Sequence, residues 1–310
     1  MKNMINRTHI EGFLYEHALE LRTSGPQSKN PGTEFIMGTV SIATDDAMEN
    51  IVPVHFTYVT ATTSKGNPNA TFGILKDIIE GKHGSVMENG AESAAKLRID
   101  SALGLNEFYT DRNGQEELVS AKRNEGGFVH VCTALNEDEK TRNTFEADML
   151  ITNVVRIEGN EETGAKEKVV VKGAIFDFRK SLLPIDFVAT NPNAMDYFEG
   201  LGASNKEPVF TKVWGRQVSN VTVRTITEES AFGEDSVREV KNTRREFVIT
   251  GASKVPYEWD SEETITAAEL TEAMTARETY LATVKQRADE YKASKGQATA
   301  PAASKGQYNF

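Results

Sequence analysis

Cysteine is almost absent. Cys132 is the single one among 310 residues, so no internal disulfide can form and no paired-cysteine metal site exists. The five histidines, His9, His17, His55, His83 and His130, lack the spacings that bind a metal. There is no run of about 18 apolar residues, the length a membrane-crossing helix needs. Residues 1–7 lack the apolar stretch of a secretory leader. The expectation is a soluble, cytoplasmic protein (in the bacterial host cell, if phage-encoded) with no metal, no cofactor and no membrane contact. A Walker loop, a nucleophile elbow and a dinucleotide fingerprint are all missing. Asp45-Asp46 and Glu116-Glu117 are carboxylate pairs, but in turn-like or exposed-strand contexts where solvated surface is the commoner role. Cys132 reads as a small hydrophobe on a strand. The chain is therefore expected not to be an enzyme.

What is present describes an ordinary folded protein: 38% hydrophobic and 26% charged residues exclude both disorder and a membranous character. The length suffices for two domains with proper cores. The net charge of −11 argues against a nucleic-acid binder at first sight. Its distribution matters more than its sum. Residues 1–133 hold 12 basic against 17 acidic side chains, whereas residues 168–225 hold 8 basic against 5 acidic.

A short pattern occurs twice: Ile10-Glu11-Gly12-Phe13-Leu14-Tyr15 and Val171-Lys172-Gly173-Ala174-Ile175-Phe176. Side chains alternate faces along a strand, so the apolar residues and the glycine point inward and the aromatic outward. A mid-strand glycine permits the sharp bend that closes a small barrel. Both motifs are expected to open a barrel. Strand patterns, a helix candidate over residues 72–80 and the Asn113-Gly114 hairpin signal fill residues 1–158. A similar order of strands, with a short helix over residues 192–201, fills residues 168–256. This predicts a mainly β protein of two tandem OB-like Greek-key barrels with short helices. A helix over residues 264–292 follows, announced by the capping box of Thr266 and Glu269. Its apolar stripe is Leu270, Met274, Leu281, Val284, Ala288 and Tyr291. Residues 293–310 contain Ala-Ser-Lys-Gly-Gln twice and read as a flexible tail.

The sharpest constellation runs Val209-Phe210-Thr211-Lys212-Val213-Trp214-Gly215-Arg216. One face carries Phe210, Lys212, Trp214 and Arg216. On the strand of the second motif, expected over residues 169–178, Lys172, Phe176, Phe178 and Lys180 share the outward side. Aromatic faces stack on any base, and interleaved cations meet phosphates. A single strand needs both on one surface. The other reading is that these aromatics pack under the helix or against another subunit. In the first module Arg7, Phe13, Tyr15, Phe35 and Arg98 are further candidates, with His9 and Lys96; Lys122-Arg123 could clamp backbone.

Ile5-Asn6-Arg7-Thr8-His9-Ile10-Glu11-Gly12-Phe13-Leu14, followed by Leu19-Glu20-Leu21-Arg22, resembles the start of bacterial and phage single-stranded DNA-binding proteins. The resemblance implies a sheet face and loops that wrap single-stranded DNA, and a tail that recruits replication or recombination proteins, here ending in Phe310. The chain is longer than a typical bacterial member, and Tyr308-Asn309 carries no acid before Phe310. The stacking tryptophans of the family are absent from the first module, where Phe13, Phe35 or Phe56 would stand in; Phe56 shares the parity of Val52 and Val54 and is expected inside. The expected function is protection of single-stranded DNA, with RNA as the alternative strand, in phage or bacterial replication or recombination. A homo-oligomer is compatible with this. The rivals are a virion component assembling through its β-modules, or an acidic DNA mimic inhibiting a host factor.

Overall fold

The computed structural model describes residues 4–112, 114–159, 166–228, 232, 236–259, 261 and 264–298. In chain order the elements are β1 (Asn6–Thr23), β2 (Glu34–Ala43), β3 (Ile51–Thr60), α1 (Ala70–Ile79), α2 (Val86–Asn89), β4 (Lys96–Arg112) and β5 (Gln115–Cys132). Then come β6 (Asn143–Ile157), β7 (Lys168–Phe176), β8 (Leu182–Pro184), β9 (Phe187–Ala189), α3 (Pro192–Gly200), β10 (Val209–Glu228), β11 (Ser236–Ala252) and α4 (Ala267–Ala298).

Strand pairing closes two rings. In the first, β1 pairs with β2, β2 with β3, β3 in parallel with β5, β5 with β4, and β4 again with β1. In the second, β6 pairs with β7, β7 with β9, β9 in parallel with β11, β11 with β10, and β10 again with β6. The helix between third and fourth strand is α1 in one ring and α3 in the other. This is the 1-2-3-5-4-1 order of the expected small Greek-key barrel, realised twice. Even the bulges recur. The first and second strands shift register at Leu14/Glu16 in one ring and Ile151/Asn153 in the other. The fourth and fifth shift at Asp100/Ala102 and Trp214/Gly215.

The pairing corrects the expected boundary. Residues 147–157, placed by the sequence at the end of a first module over 1–158, belong to β6, which opens the second ring. Consequently only the Ile10–Tyr15 motif sits on a first strand. Val171–Phe176 lies on β7, the second strand of its ring. The two glycines still do the same job. A Cβ on Gly12 would collide with the carbonyl oxygen of Ala43, and one on Gly173 with that of Leu150, so each lets a curling strand close on its neighbour.

Each ring has its own core. Ile10, Leu14, Ile36, Val54, Phe56 and Leu97 fill the first, Phe56 lying inside as its parity implies. Phe145, Met149, Val171, Ile175, Phe187 and Ile249 fill the second. The outward rows of β1 and β6 meet where these strands pair directly, with Arg7 opposite Glu146 and His9 opposite Thr144.

The capping box forms as expected: Thr266 N donates to Glu269 Oε2 at 3.0 Å and Glu269 N to Thr266 Oγ1 at 3.2 Å. From there α4 runs six residues further than the helix expected, so residues 293–298 are helical rather than tail. Its first turns bury Leu270 and Ala273 against Leu150, Phe176 and Phe210 of the second ring. Farther along, Arg277 pairs with Glu107, Lys285 with Glu116, and Lys292 with Asp111 and Glu116 on the β4–β5 hairpin of the first. The helix thus straps one barrel to the other. Met274 and Tyr291, members of the expected stripe, face solvent.

Candidate functional site

The outward faces of β6, β7 and β10 are apolar at one end: Leu150, Phe176 and Phe210. The C-terminal segment covers that end. Tyr257 N donates to the Phe210 carbonyl at 2.8 Å, and the Tyr257 hydroxyl bonds Asp148 Oδ1 at 3.0 Å. The Phe210 ring lies 5.3 Å from that of Tyr257 and 6.5 Å from that of Phe176. This corrects the sequence reading. Phe176 (0% exposed) and Phe210 (1%) do leave the barrel interior, but Tyr257, Ile265, Leu270 and Ala273 bury them, so neither can stack on a base.

Past the cover the same face of β10 opens. Trp214 is 40% exposed, its indole lying across Gly251, where a Cβ would strike the ring. Lys212 and Arg7 both pair with Glu146. Burial works against the charge of Glu146, but the hydrogen bonds from Lys212 and Arg7 prevail and hold its carboxyl below the usual range. Arg216 is half-buried farther along β10. The structure therefore brings Arg7, Lys212 and Trp214 together. Arg98, on β4 opposite Glu11, stands 3.2 Å from Asp100.

The other candidates are dispersed. Phe13 lies half-buried under Lys96, whose ammonium stands 6.0 Å from the ring centre, and Tyr15 is also half-buried. Phe35 packs on Tyr58 at 4.6 Å between centroids. Lys172 is exposed on β7. Phe178 and Lys180 sit on the turn between β7 and β8, Phe178 being 88% exposed with the Arg179 guanidinium 5.1 Å from its ring. Phe310 lies outside the described residues.

A groove of about 1100 Å³ lies along the first barrel. Its floor is the β3–β5–β4 surface of the first barrel, one wall is the β7–β8 turn with Phe178 and Arg179, and α4 contributes Arg277 and Tyr280. Aromatic rings line it: Tyr58, Phe178, Tyr280, and Phe128, which is 72% exposed. Three guanidinium groups face it, Arg123, Arg179 and Arg277. Arg123 holds Glu125 at 2.6 Å, and Arg277 holds Glu107, which also accepts from Ser120 at 2.7 Å.

Of these groove residues the sequence reading had singled out only Phe178 and Arg123. Phe128 was legible, since Val129 is core and the neighbouring side chain must point out. Tyr58 was not. It has the parity of buried Phe56, and the register shift between Ile36 and Gly38 on the partner strand breaks that alternation.

Two closed rings joined by a shared sheet, with an aromatic groove along one, define a tandem OB-type barrel protein. The chain belongs to the YorF family, whose family model matches residues 5–287. No curated protein matches the sequence. Among solved structures the chain is similar to a deletion mutant of the single-stranded DNA-binding protein from Thermus aquaticus: 10% identity, TM-score 0.45, over 85% of this chain and 100% of that one. It is also similar to the wild-type protein from that organism: 9% identity, TM-score 0.45, over 83% and 95%. The barrel assignment stands on the strand pairing within this chain, not on those structures. No described helix is long and apolar enough to cross a membrane.

Proposed function

We propose that the protein binds single-stranded nucleic acid, DNA before RNA, in the groove between the first barrel and the β7–β8 turn, and protects displaced strands in phage or bacterial replication or recombination. One observation carries this reading. Phe128 and Phe178 are large apolar rings left almost wholly in water beside the guanidinium groups of Arg123 and Arg179. Exposed rings stack on unpaired bases whatever the sequence, for about 1–3 kcal/mol each. Guanidinium groups pair with phosphate oxygens through two parallel hydrogen bonds. A duplex hides its base faces, so the same rings favour a single strand.

The carboxylates in the groove do not oppose this. Glu125 pairs with Arg123 and Glu107 with Arg277, and the third, Asp177, accepts from the backbone N–H groups of Arg179 and Ser181; a phosphate meeting Arg123 shares that guanidinium with Glu125. The protein's overall acidity reduces long-range attraction and non-specific binding, and affinity then depends more on stacking.

A labelled single-stranded oligonucleotide, titrated at low and moderate salt with duplex and RNA competitors, tests the reading. The expected result is binding that prefers single-stranded DNA and weakens as salt rises. Absence of binding at low salt overturns it and leaves the exposed rings as assembly contacts.

A further inference from the structure

Resting on that reading of the groove, we infer that the seam between the two barrels is a second contact surface for the same strand, which passes over Phe128 and ends on Trp214. The groove does not stop at Phe128. A second cavity of about 590 Å³ lies beyond it, and both are lined by Ala102, Gly126, Gly127 and Phe128. Phe128 stands on the ridge between the two.

On the far side, five strands present their outward residues in register. Phe128 of β5 opposes Asp100 of β4, Asp100 opposes His9 of β1, and His9 opposes Thr144 of β6. Two residues along, Arg7 opposes Glu146, and Glu146 opposes Trp214 of β10. Four strand spacings separate β5 from β10, which puts the two exposed rings roughly 19 Å apart across the sheet. Stacking platforms at both ends of a polar saddle suit a chain of several nucleotides better than a compact ligand.

The charges along this row fit a phosphate backbone. Four cations, Arg7, Arg98, Lys212 and Arg216, balance four carboxylates, Glu11, Asp100, Glu146 and Asp148, so the row is neutral in a chain whose overall charge is −11. Glu11 is occupied, accepting from Asn136 N at 2.5 Å. Arg7 is an exposed side chain held on Glu146. An incoming phosphate can replace that carboxylate as its partner without leaving any group unpaired, because Lys212 remains on Glu146. Gly251 completes the site: with no Cβ it lets the Trp214 indole lie flat on β11, fixing the ring before a base arrives.

The chain has two tryptophans, Trp214 and Trp259, so Trp259→Phe leaves Trp214 as the single reporter. Full-length protein carrying that change is titrated with labelled oligothymidylates of increasing length, following label anisotropy and tryptophan emission together. Short oligomers are expected to bind without quenching Trp214, and longer ones to bind and quench it. Trp214→Ala should weaken the long oligomer by roughly five- to a hundred-fold and leave the short one unchanged, while Trp214→Phe retains most of the affinity. If the long oligomer binds with Trp214 emission unchanged and Trp214→Ala has no effect, the seam is not a contact and the groove reading survives. If no oligomer binds, both fall together.

Discussion

Asn124 of the first barrel and Gln217 of the second bond each other through both halves of their side-chain amides. Asn124 Nδ2 donates to Gln217 Oε1 at 2.9 Å, and Gln217 Nε2 donates to Asn124 Oδ1 at 2.8 Å. Both side chains are buried. The Gln217 carbonyl accepts from Asn143 Nδ2 at 2.7 Å and from Asn50 Nδ2 at 3.1 Å, and Asn124 also donates to the Pro53 carbonyl at 3.0 Å. A buried polar cluster of this kind fixes one orientation of the barrels, because sliding either would strand several buried donors at once.

Replacing one partner should therefore cost more than replacing both. Gln217→Leu takes the partner from the buried Asn124 Oδ1 and leaves Asn124 Nδ2 only the Pro53 carbonyl, a loss of about 1–3 kcal/mol, and the double leucine variant recovers part of it. Denaturant midpoints of the two singles and the double form the cycle; a simply additive result would show that the amides act independently.

The exposure of Phe128 separates binding from folding. Phe128→Ala removes a ring that packs little in the free protein, so its unfolding midpoint should stay near that of the parent. Its affinity for a single-stranded oligonucleotide should fall by about 1–3 kcal/mol, the value of one stacked base. Anisotropy titration beside an unfolding curve reads both quantities. An unchanged affinity would remove Phe128 from the interface.

The strap of α4 depends on a buried ion pair. Glu107→Gln strips the buried charge partner of Arg277, and breaking such a pair costs about 3–5 kcal/mol. The predicted consequence is local. Amide exchange should accelerate in α4 and the β4–β5 hairpin, while β6 and β7, away from that contact, keep their protection.

Acid should loosen the seam in a defined direction. The carboxyl of Glu146 is held below its ordinary range, so its native pKa lies under the unfolded one. Its stabilising contribution is complete above the unfolded value and is lost as pH falls through the native value. Arg7 is well exposed, so solvent screening keeps the effect below about 1 kcal/mol. Unfolding curves between about pH 7 and pH 3 should show a shallower acid limb for Glu146→Gln than for the parent. His55, whose pKa is lowered by burial first and by Arg123 second, adds to the same limb in both proteins.

The barrels were legible from short-range pattern: strand alternation placed Ile10, Val54, Phe56 and Val171 inside, and the helices α1 and α3 announced themselves by local composition. The hairpin signal Asn113-Gly114 also marked the right place, Arg112 pairing with Gln115 across it; Asn113 itself lies outside the described residues. Which ring β6 joins was not legible, because its alternating pattern fits either barrel and only the pairing with β7 and β10 decides.

The site divides along the same line. Parity by itself determined that Phe176, Phe210 and Trp214 leave the barrel interior, since a strand's side chains can point only two ways. Whether a residue so placed meets water depends on segments distant in sequence. Tyr257, Ile265, Leu270 and Ala273 cover Phe176 and Phe210, while Trp214 stays 40% exposed. The groove exists because the β7–β8 turn and α4 come to rest beside the first barrel. Local alternation encodes direction; packing between remote parts of the chain decides exposure, and with it which aromatic rings are left to bind.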